Sequence, residues 1–338
     1  MLRKSLSARL KVIVVNVITF LVLTLILELL IYVALLKPAM IPDFLLDSFR
    51  SYYREKDREI IQVTDCAKYD PELFYIMAEG SCRFSNREFE TAYSVNSAGL
   101  RDDEESLDAP RIIVLGDSYA MGWGVQQDES FPQILEKTSG LKVLNAGVSS
   151  YGTARELILL KRLPLDSVQS VVIQYHDNDL PENQSFLENG NSLRIRAEAS
   201  YDSLKDAIAT RRRYYPFKHM YGLAKAFGKT VVQKREEVPS ETSEAQAFLR
   251  VLKQADLPHH IRLFAVKMDD YDKINNTFAQ TLDSLLKLAE YSHLDLYPIK
   301  LAENLEKEDY FRLDDHINAR GHAKVAAKIR DQILSVSP

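Results

Sequence analysis

Glycine is scarce in this chain, with 12 among 338 residues, about half of the usual share of roughly 7%. Cysteine is scarcer still. Cys66 and Cys82 are the only two, too few for a disulfide-dense scaffold or a four-cysteine zinc site. No glycine-rich phosphate loop of the Walker type occurs, so nothing points to nucleotide use. The G-x-S-x-G elbow of many serine hydrolases is missing too, and no internal repeat or low-complexity tract is present. An excess of positive charge is also lacking. With 43 Lys and Arg against 48 Asp and Glu the formal net charge is -5, which argues against a nucleic-acid partner. What is there is ordinary globular material, 46% hydrophobic and 27% charged, which excludes wholesale disorder. At 338 residues, one large domain with appendages or two domains is expected.

The few glycines are unevenly spread. Six of the 12 lie between Gly116 and Gly152, where the backbone is expected to need unusual dihedrals or close approach. Function is expected in that window.

One long hydrophobic run stands at the start. Val12 to Leu36 carries only Asn16, Thr19, Thr24 and Glu28 as clearly polar residues, and as a helix it spans roughly 37 Å, enough to cross a bilayer. A cleaved signal peptide is the alternative, but VALLKPAM after Tyr32 offers no convincing small-x-small site. Arg3, Lys4, Arg9 and Lys11 precede the run without an acidic residue. The positive-inside rule then keeps residues 1–11 in the cytoplasm, makes 12–36 an anchor and exports the chain beyond Lys37, to the periplasm in a Gram-negative cell. Glu28 is costly in hydrocarbon, and either snorkelling at the interface or a helical partner relieves it. Export also permits a Cys66–Cys82 disulfide, with two free thiols as the alternative.

Residues 37–110 read as an extension without a long clean period. DSFRSYYREKDREI suggests a short helix leaving the membrane, and the acidic run in YSVNSAGLRDDEESLDAP suggests a solvated connection. From Arg111 the character changes. RIIVLGDSY reads as a buried strand running into a turn, FPQILEKTSG as a helix stopped by Gly140, and LKVLNAG as a second strand. TARELILLKRL is a helix, SVQSVVIQY a third strand, NNTFAQTLDSLLKLAEYSH a helix and LDLYPI a strand. NARGHAKVAAKIRDQIL closes the chain as a helix with Val325, Ile329 and Leu334 on its apolar face. Strands alternating with helices predict an α/β fold, three layers α/β/α around a central parallel sheet, preceded by one transmembrane helix. Ligands of such sheets sit beyond the carboxyl ends of the strands, which brings Asp117-Ser118, Asn145–Gly147 and Asn178-Asp179 to one mouth.

Acyl chemistry needs a hydroxyl, a base within reach, an orienting carboxylate and donors for an oxyanion. Ser118 comes directly after a strand and is the candidate nucleophile. Of seven histidines, His316 has Asp314 and Asp315 immediately upstream, and an imidazole paired with a carboxylate on one loop is fixed in one tautomer. Asp117 reads as a turn-stabilising carboxylate, His322 as a helix-surface residue, and Trp123 either lines the site or caps the core. His259 and His260 have no carboxylate cluster nearby, so no metal is implied, and no cofactor either.

As an ordered set these segments resemble the SGNH (GDSL-type) hydrolase family over roughly residues 111–334. GDSYAMGWGV is similar to the family's first block and matches its nucleophile to Ser118; NAGVSSYG is similar to the second and matches its glycine to Gly147. YHDNDL is similar to the third, with its asparagine at Asn178, and DDHINARGH to the last, with the base at His316. The resemblance implies a Ser-His-Asp hydrolase whose oxyanion hole uses the Ser118 and Gly147 amides and the Asn178 side chain. YSVNSAGLRDDE resembles a lead-in of membrane-anchored bacterial members. Two departures stand out. His176 occupies the glycine position of the usual G-x-N-D, and Leu313 breaks the usual D-x-x-H. A D-x-H spacing selects Asp314, with Asp315 or a dyad as alternatives.

An insertion at about residues 181–243 interrupts the SGNH hydrolase-like domain, 111–338. From Lys205 to Arg235 it carries nine Lys or Arg against Asp206 alone. A solvated basic lid is one reading, and a surface on anionic membrane or polysaccharide is the other. The leading expectation is an anchored extracytoplasmic serine esterase acting on an acylated carbohydrate or lipid. An O-acyltransferase or deacetylase of cell-envelope polysaccharide, served by a membrane acyl-transfer partner, is the second. A non-catalytic assembly component that kept the fold is the third.

Overall fold

The computed structural model describes residues 2–232 and 241–336. In chain order they form α1 (Leu2–Leu36), α2 (Asp43–Tyr52), β1 (Ala67–Asp70), β2 (Phe74–Met77), β3 (Gly80–Ser85) and β4 (Glu90–Val95). The next elements are β5 (Ile112–Gly116), α3 (Ser118–Met121), α4 (Phe131–Ser139), β6 (Val143–Gly147), α5 (Thr153–Leu160) and β7 (Ser170–Tyr175). Four helices come after β7: α6 (Asp179–Glu188), α7 (Glu198–Arg212), α8 (Lys218–Val232) and α9 (Glu241–Leu252). The chain ends through β8 (Arg262–Lys267), α10 (Thr277–Leu285), β9 (Leu296–Ile299) and α11 (Ala319–Ser335). These elements divide into two compact units, Met1–Arg58 with Ala209–Glu236 and Arg312–Asp314, and Glu59–Ile208 with Glu237–Phe311 and Asp315–Pro338.

The larger unit holds a five-stranded sheet in the order β6-β5-β7-β8-β9, every pair parallel. Alternate residues of one strand point to opposite faces. Ile113, Leu115, Val171, Ile173, Leu263 and Ala265 pack with α5, α9 and α10, while Ile112, Val114, Val172, Phe264 and Val266 pack with α4 and α11. That is the three-layer α/β/α architecture expected from the alternating strands and helices. From β5 the chain turns to β6 on one side and then crosses to β7 on the other, which opens a crevice at their carboxyl ends. Two antiparallel pairs, β1-β2 and β3-β4, precede the sheet. Cys66 and Cys82 are bonded, with Cα atoms 5.6 Å apart.

Several expectations need correction. The strand β8 is additional to those expected, although RLFAVK is an apolar run. Leu334 is exposed and Ile333 is buried instead, because Val325, Ile329 and Ile333 repeat every four residues along one face of α11. His322 is no surface residue: it is fully buried, and its Nδ1 accepts the Phe131 N–H at 3.1 Å. The acidic run is solvated only in part. Asp103, Glu104 and Glu105 are exposed, but Arg101 and Asp102 are buried.

In the smaller unit, Arg9–Leu36 is long and apolar enough to cross a membrane. Its large apolar side chains from Leu10 to Leu27 are exposed, a stretch of about 27 Å at the helical rise. Thr24 returns its hydroxyl to the Phe20 carbonyl at 2.8 Å, which satisfies it without water. From Glu28 onward one stripe of Glu28, Ile31 and Leu35 is buried. Of the two readings for Glu28, the helical partner is the one found. Its carboxylate accepts the His219 N–H at 3.1 Å and the Met220 N–H at 2.8 Å, two of the donors that the first turn of α8 leaves unpaired. Tyr52 on α2 meets His219 Nδ1 at 2.6 Å. Gly222 lets the two helices close, since a Cβ there would stand 2.3 Å from the Tyr52 ring.

The same unit absorbs much of the insertion's charge. Arg211 and Arg212 donate to the carbonyls of Arg58 and Asp57, Lys218 is buried and donates to the Arg212 carbonyl, and Lys229 pairs with Glu55 at 2.5 Å. A wholly solvated basic lid is therefore not what these residues form. Lys234 and Arg235 lie outside the described residues.

Candidate active site

β5 ends at Gly116, where a Cβ would stand 2.5 Å from Gln174 Oε1 and 2.6 Å from Ala120 Cβ. Only glycine fits there. The chain then turns through Asp117 into α3, and the Asp117 carboxylate caps that helix by accepting the Tyr119 N–H at 3.0 Å. Gln174, fully buried on β7, braces the turn from behind: its Oε1 accepts the N–H groups of Asp117 at 3.0 Å and Ala120 at 3.3 Å. A glutamine inside an otherwise apolar strand is the sequence signal for this brace, and the motifs alone pass over it.

The turn presents Ser118 Oγ at 2.9 Å from His316 Nε2, a hydroxyl and an imidazole within hydrogen-bond reach across 198 residues of sequence. The imidazole lies between two aromatic rings, with Trp123 stacked at 5.1 Å and Tyr119 tilted at 4.8 Å. Trp123 is itself buried against the edge of Phe84, so it both belongs to the core and faces the site. The loop carrying the imidazole is closed by Phe311 N–H to the His316 carbonyl at 2.8 Å, and Asp315 turns it with a left-handed φ of 73°, which Asp tolerates better than most residues. Asp314 is fully buried, and its Oδ2 accepts the Tyr53 hydroxyl at 2.6 Å in the smaller unit.

Gly147 ends β6 against the backbone of α3, where a Cβ would be 2.3 Å from the Met121 nitrogen. Its N–H donates to Asn145 Oδ1 at 3.0 Å. Asn178 is exposed beyond β7. Its Nδ2 reaches Asp117 Oδ2 at a long 3.4 Å, and its N–H donates to His176 Nδ1 at 3.2 Å.

That last bond orients the His176 ring. With Nδ1 accepting, the proton of a neutral imidazole sits on Nε2, which lies 3.4 Å from Asp269 Oδ1. The ring also stacks on Tyr119 at 5.5 Å. Behind it, buried Lys267 meets Asp177 at 2.7 Å, Glu244 at 2.8 Å and Asp269 at 3.4 Å. Burial pushes the Asp269 carboxyl up to about 7, against the pull of the neighbouring Lys267 ammonium. Burial works against the Lys267 ammonium as well, but Asp269, Asp177 and Glu244 outweigh it and raise its pKa. No sequence motif marks out Asp269 or Lys267.

Arg101, in the segment between the early strands and β5, supports the site from the other side. Its guanidinium donates to the carbonyls of Met121 at 3.2 Å, Gly122, and Val125 at 2.7 Å, and lies 3.7 Å over the Tyr93 ring. Asp102 accepts the Asn145 N–H at 2.8 Å and the Gln133 side chain at 2.6 Å. Arg101 and Asp102 thus fix the loop after α3 and the strand β6.

No model of a known protein family matches the chain, and no curated protein does. Solved structures do match. A lipolytic protein of the G-D-S-L family from Desulfitobacterium hafniense is 12% identical with a TM-score of 0.36, over 65% of this chain and 98% of that one. A family 3 carbohydrate esterase of Clostridium thermocellum is 14% identical with a TM-score of 0.37, over 67% and 96%. Phospholipase A1 of Streptomyces albidoflavus is 13% identical with a TM-score of 0.35, over 68% and 100%. The likeness is thus to GDSL-type lipases and carbohydrate esterases, and at such values it carries no argument about activity.

Proposed function

We propose that the chain is a serine esterase of the SGNH type, anchored by α1 and acting outside the cytoplasm on an acylated carbohydrate or lipid. The observation that carries this reading is the 2.9 Å approach of Ser118 Oγ to His316 Nε2 at the carboxyl end of β5. In the reaction, His316 Nε2 takes the Ser118 proton as Oγ attacks the ester carbonyl carbon. The amides of Ser118 and Gly147 and the Asn178 Nδ2 receive the oxyanion, which requires the Gly147 N–H to exchange Asn145 for the substrate oxygen. Collapse expels the alcohol, which takes the proton from His316. Water, deprotonated by the same nitrogen, then attacks the acyl-serine carbonyl, and collapse releases the acid as Ser118 Oγ takes the proton back from His316. Asp314 is the proposed triad acid for His316.

The anchor and its direction rest on the exposed apolar span of α1, the basic residues before it, and the bonded Cys66 and Cys82, which suit an oxidising compartment. The boundaries proposed are 1–11 cytoplasmic, 12–36 membrane, 37–110 extension and 111–338 catalytic.

The test uses the full chain in detergent with a fluorophosphonate probe and p-nitrophenyl acetate. Ser118→Ala is expected to lose labelling and to lower hydrolysis by about 10³-fold or more. Undiminished labelling in that variant would sink the proposal and favour an assembly role. Adding candidate sugar hydroxyls and weighing the products distinguishes hydrolysis from transfer.

A further inference from the structure

Of the chain's 17 tyrosines, Tyr32, Tyr214, Tyr215 and Tyr221 are the exposed ones among the described residues. All four belong to the smaller unit, and His219 brings them together. Its ring lies 5.5 Å from that of Tyr32 on α1 and 5.7 Å from that of Tyr214, which precedes α8. Tyr215 stands next to Tyr214, and Tyr221 closes the first turn of α8. The N–H groups of His219 and Met220 are the ones that Glu28 holds, so the rings gather at the level of Glu28. There the exposed apolar stretch of α1, Leu10 to Leu27, comes to its end.

We propose that these four tyrosines form a second membrane contact, seating the start of α8 in the headgroup layer of the bilayer that α1 crosses. The proposal rests on the reading of α1 as a membrane anchor. A stretch of about 27 Å comes close to the roughly 30 Å thickness of bilayer hydrocarbon, which puts Glu28 and the rings around it at the boundary. A phenol has an apolar body and a polar tip, and such rings are enriched where hydrocarbon gives way to headgroups. The occupant is lipid because the tyrosine surface continues the apolar surface of α1: Tyr32 lies on that helix, one turn past Glu28. Arg213 beside them is exposed too, and a guanidinium suits the phosphates of that layer. The insertion thus meets the membrane through aromatic rings, while much of its positive charge is turned inward to carbonyls and to Glu55.

The experiment reads depth in the bilayer. Cys66 and Cys82 are bonded to each other, so an added cysteine is a single site for a nitroxide label. The full chain is reconstituted into vesicles of phosphatidylcholine with phosphatidylglycerol. The label's collisions with oxygen, which concentrates in lipid, are compared with those with a nickel chelate, which stays in water. Val17→Cys reports on the span of α1, and Lys37→Cys on a level about 13 Å past Glu28 along the helix. Tyr214→Cys and Tyr221→Cys each leave the other three tyrosines in place. Both are expected to show an oxygen-to-chelate ratio several-fold above that of Lys37→Cys and below that of Val17→Cys. A deep Val17→Cys with both tyrosine sites as wet as Lys37→Cys overturns the second contact and leaves the anchor standing. A wet Val17→Cys overturns the anchor, and this proposal with it. Tyrosine sites shielded from both reagents, and only at high protein-to-lipid ratio, are covered by a second copy of the chain, which overturns the lipid contact.

Discussion

Trp123 lies flat on the imidazole of His316, with ring centroids 5.1 Å apart and planes 19° from parallel. It is the chain's single tryptophan, so its emission reports on one ring. The imidazole covers one face of that indole. The emission maximum is expected to move to longer wavelength in His316→Ala, because the ring that shields the indole face is gone. An unchanged maximum would separate the two rings in solution.

Arg101 offers a stability test. Arg101→Ala leaves the carbonyls of Met121, Gly122 and Val125 without the guanidinium that holds them, at about 1–3 kcal/mol for each buried acceptor left unmade. Urea unfolding is expected to show a loss of about 3 kcal/mol or more, together with reduced turnover, because Trp123 rides on the same loop. An unchanged midpoint would mean that water replaces the guanidinium at no cost.

A third expectation concerns acid. Burial first, then the charges of Arg101 and His316, bring the His322 pKa down to about 3 from its ordinary 6.5. Between these values the unfolded chain binds a proton that the folded chain does not, so this residue's contribution to stability is lost as pH falls from 6.5 toward 3. Burial raises Asp102 and Asp269 to about 7 from 3.8; they act in the opposite sense, favouring the folded state as pH falls through that window. His322→Gln keeps an acceptor for the Phe131 N–H and removes the titration. Its urea midpoint is expected to fall less than the native one between about pH 7 and about pH 5. Equal falls would remove His322 from the account.

The strand ends were legible because buried parallel strands announce themselves as short apolar runs broken by glycine and small polar residues. Gly116 and Gly147 stand where a side chain would collide, and the scarcity of glycine elsewhere made that visible. The supports were harder to read. Arg101 and Asp102 look like members of a solvated charge run, since their burial depends on carbonyls and amides 20 to 43 residues away. His322 reads as surface because a helix of alternating character does not say which polar residue faces a neighbour such as Phe131. β8 hides in a stretch whose alternation is incomplete. The partner of Glu28 lies 191 residues on, beyond any local pattern. Asp314 and Asp315 differ in a way no spacing shows: one is gripped by Tyr53, and the other makes the left-handed turn.

The Glu28 carboxylate on the first turn of α8 fixes both the rotation and the depth of the N-terminal helix. A rotated helix would part the carboxylate from the amides of His219 and Met220 and leave both bare. A helix pulled deeper would do the same. No slack therefore separates the apolar span from the folded unit it enters. With α1 in a bilayer, as proposed, the smaller unit is mounted on a post rather than tied to a leash.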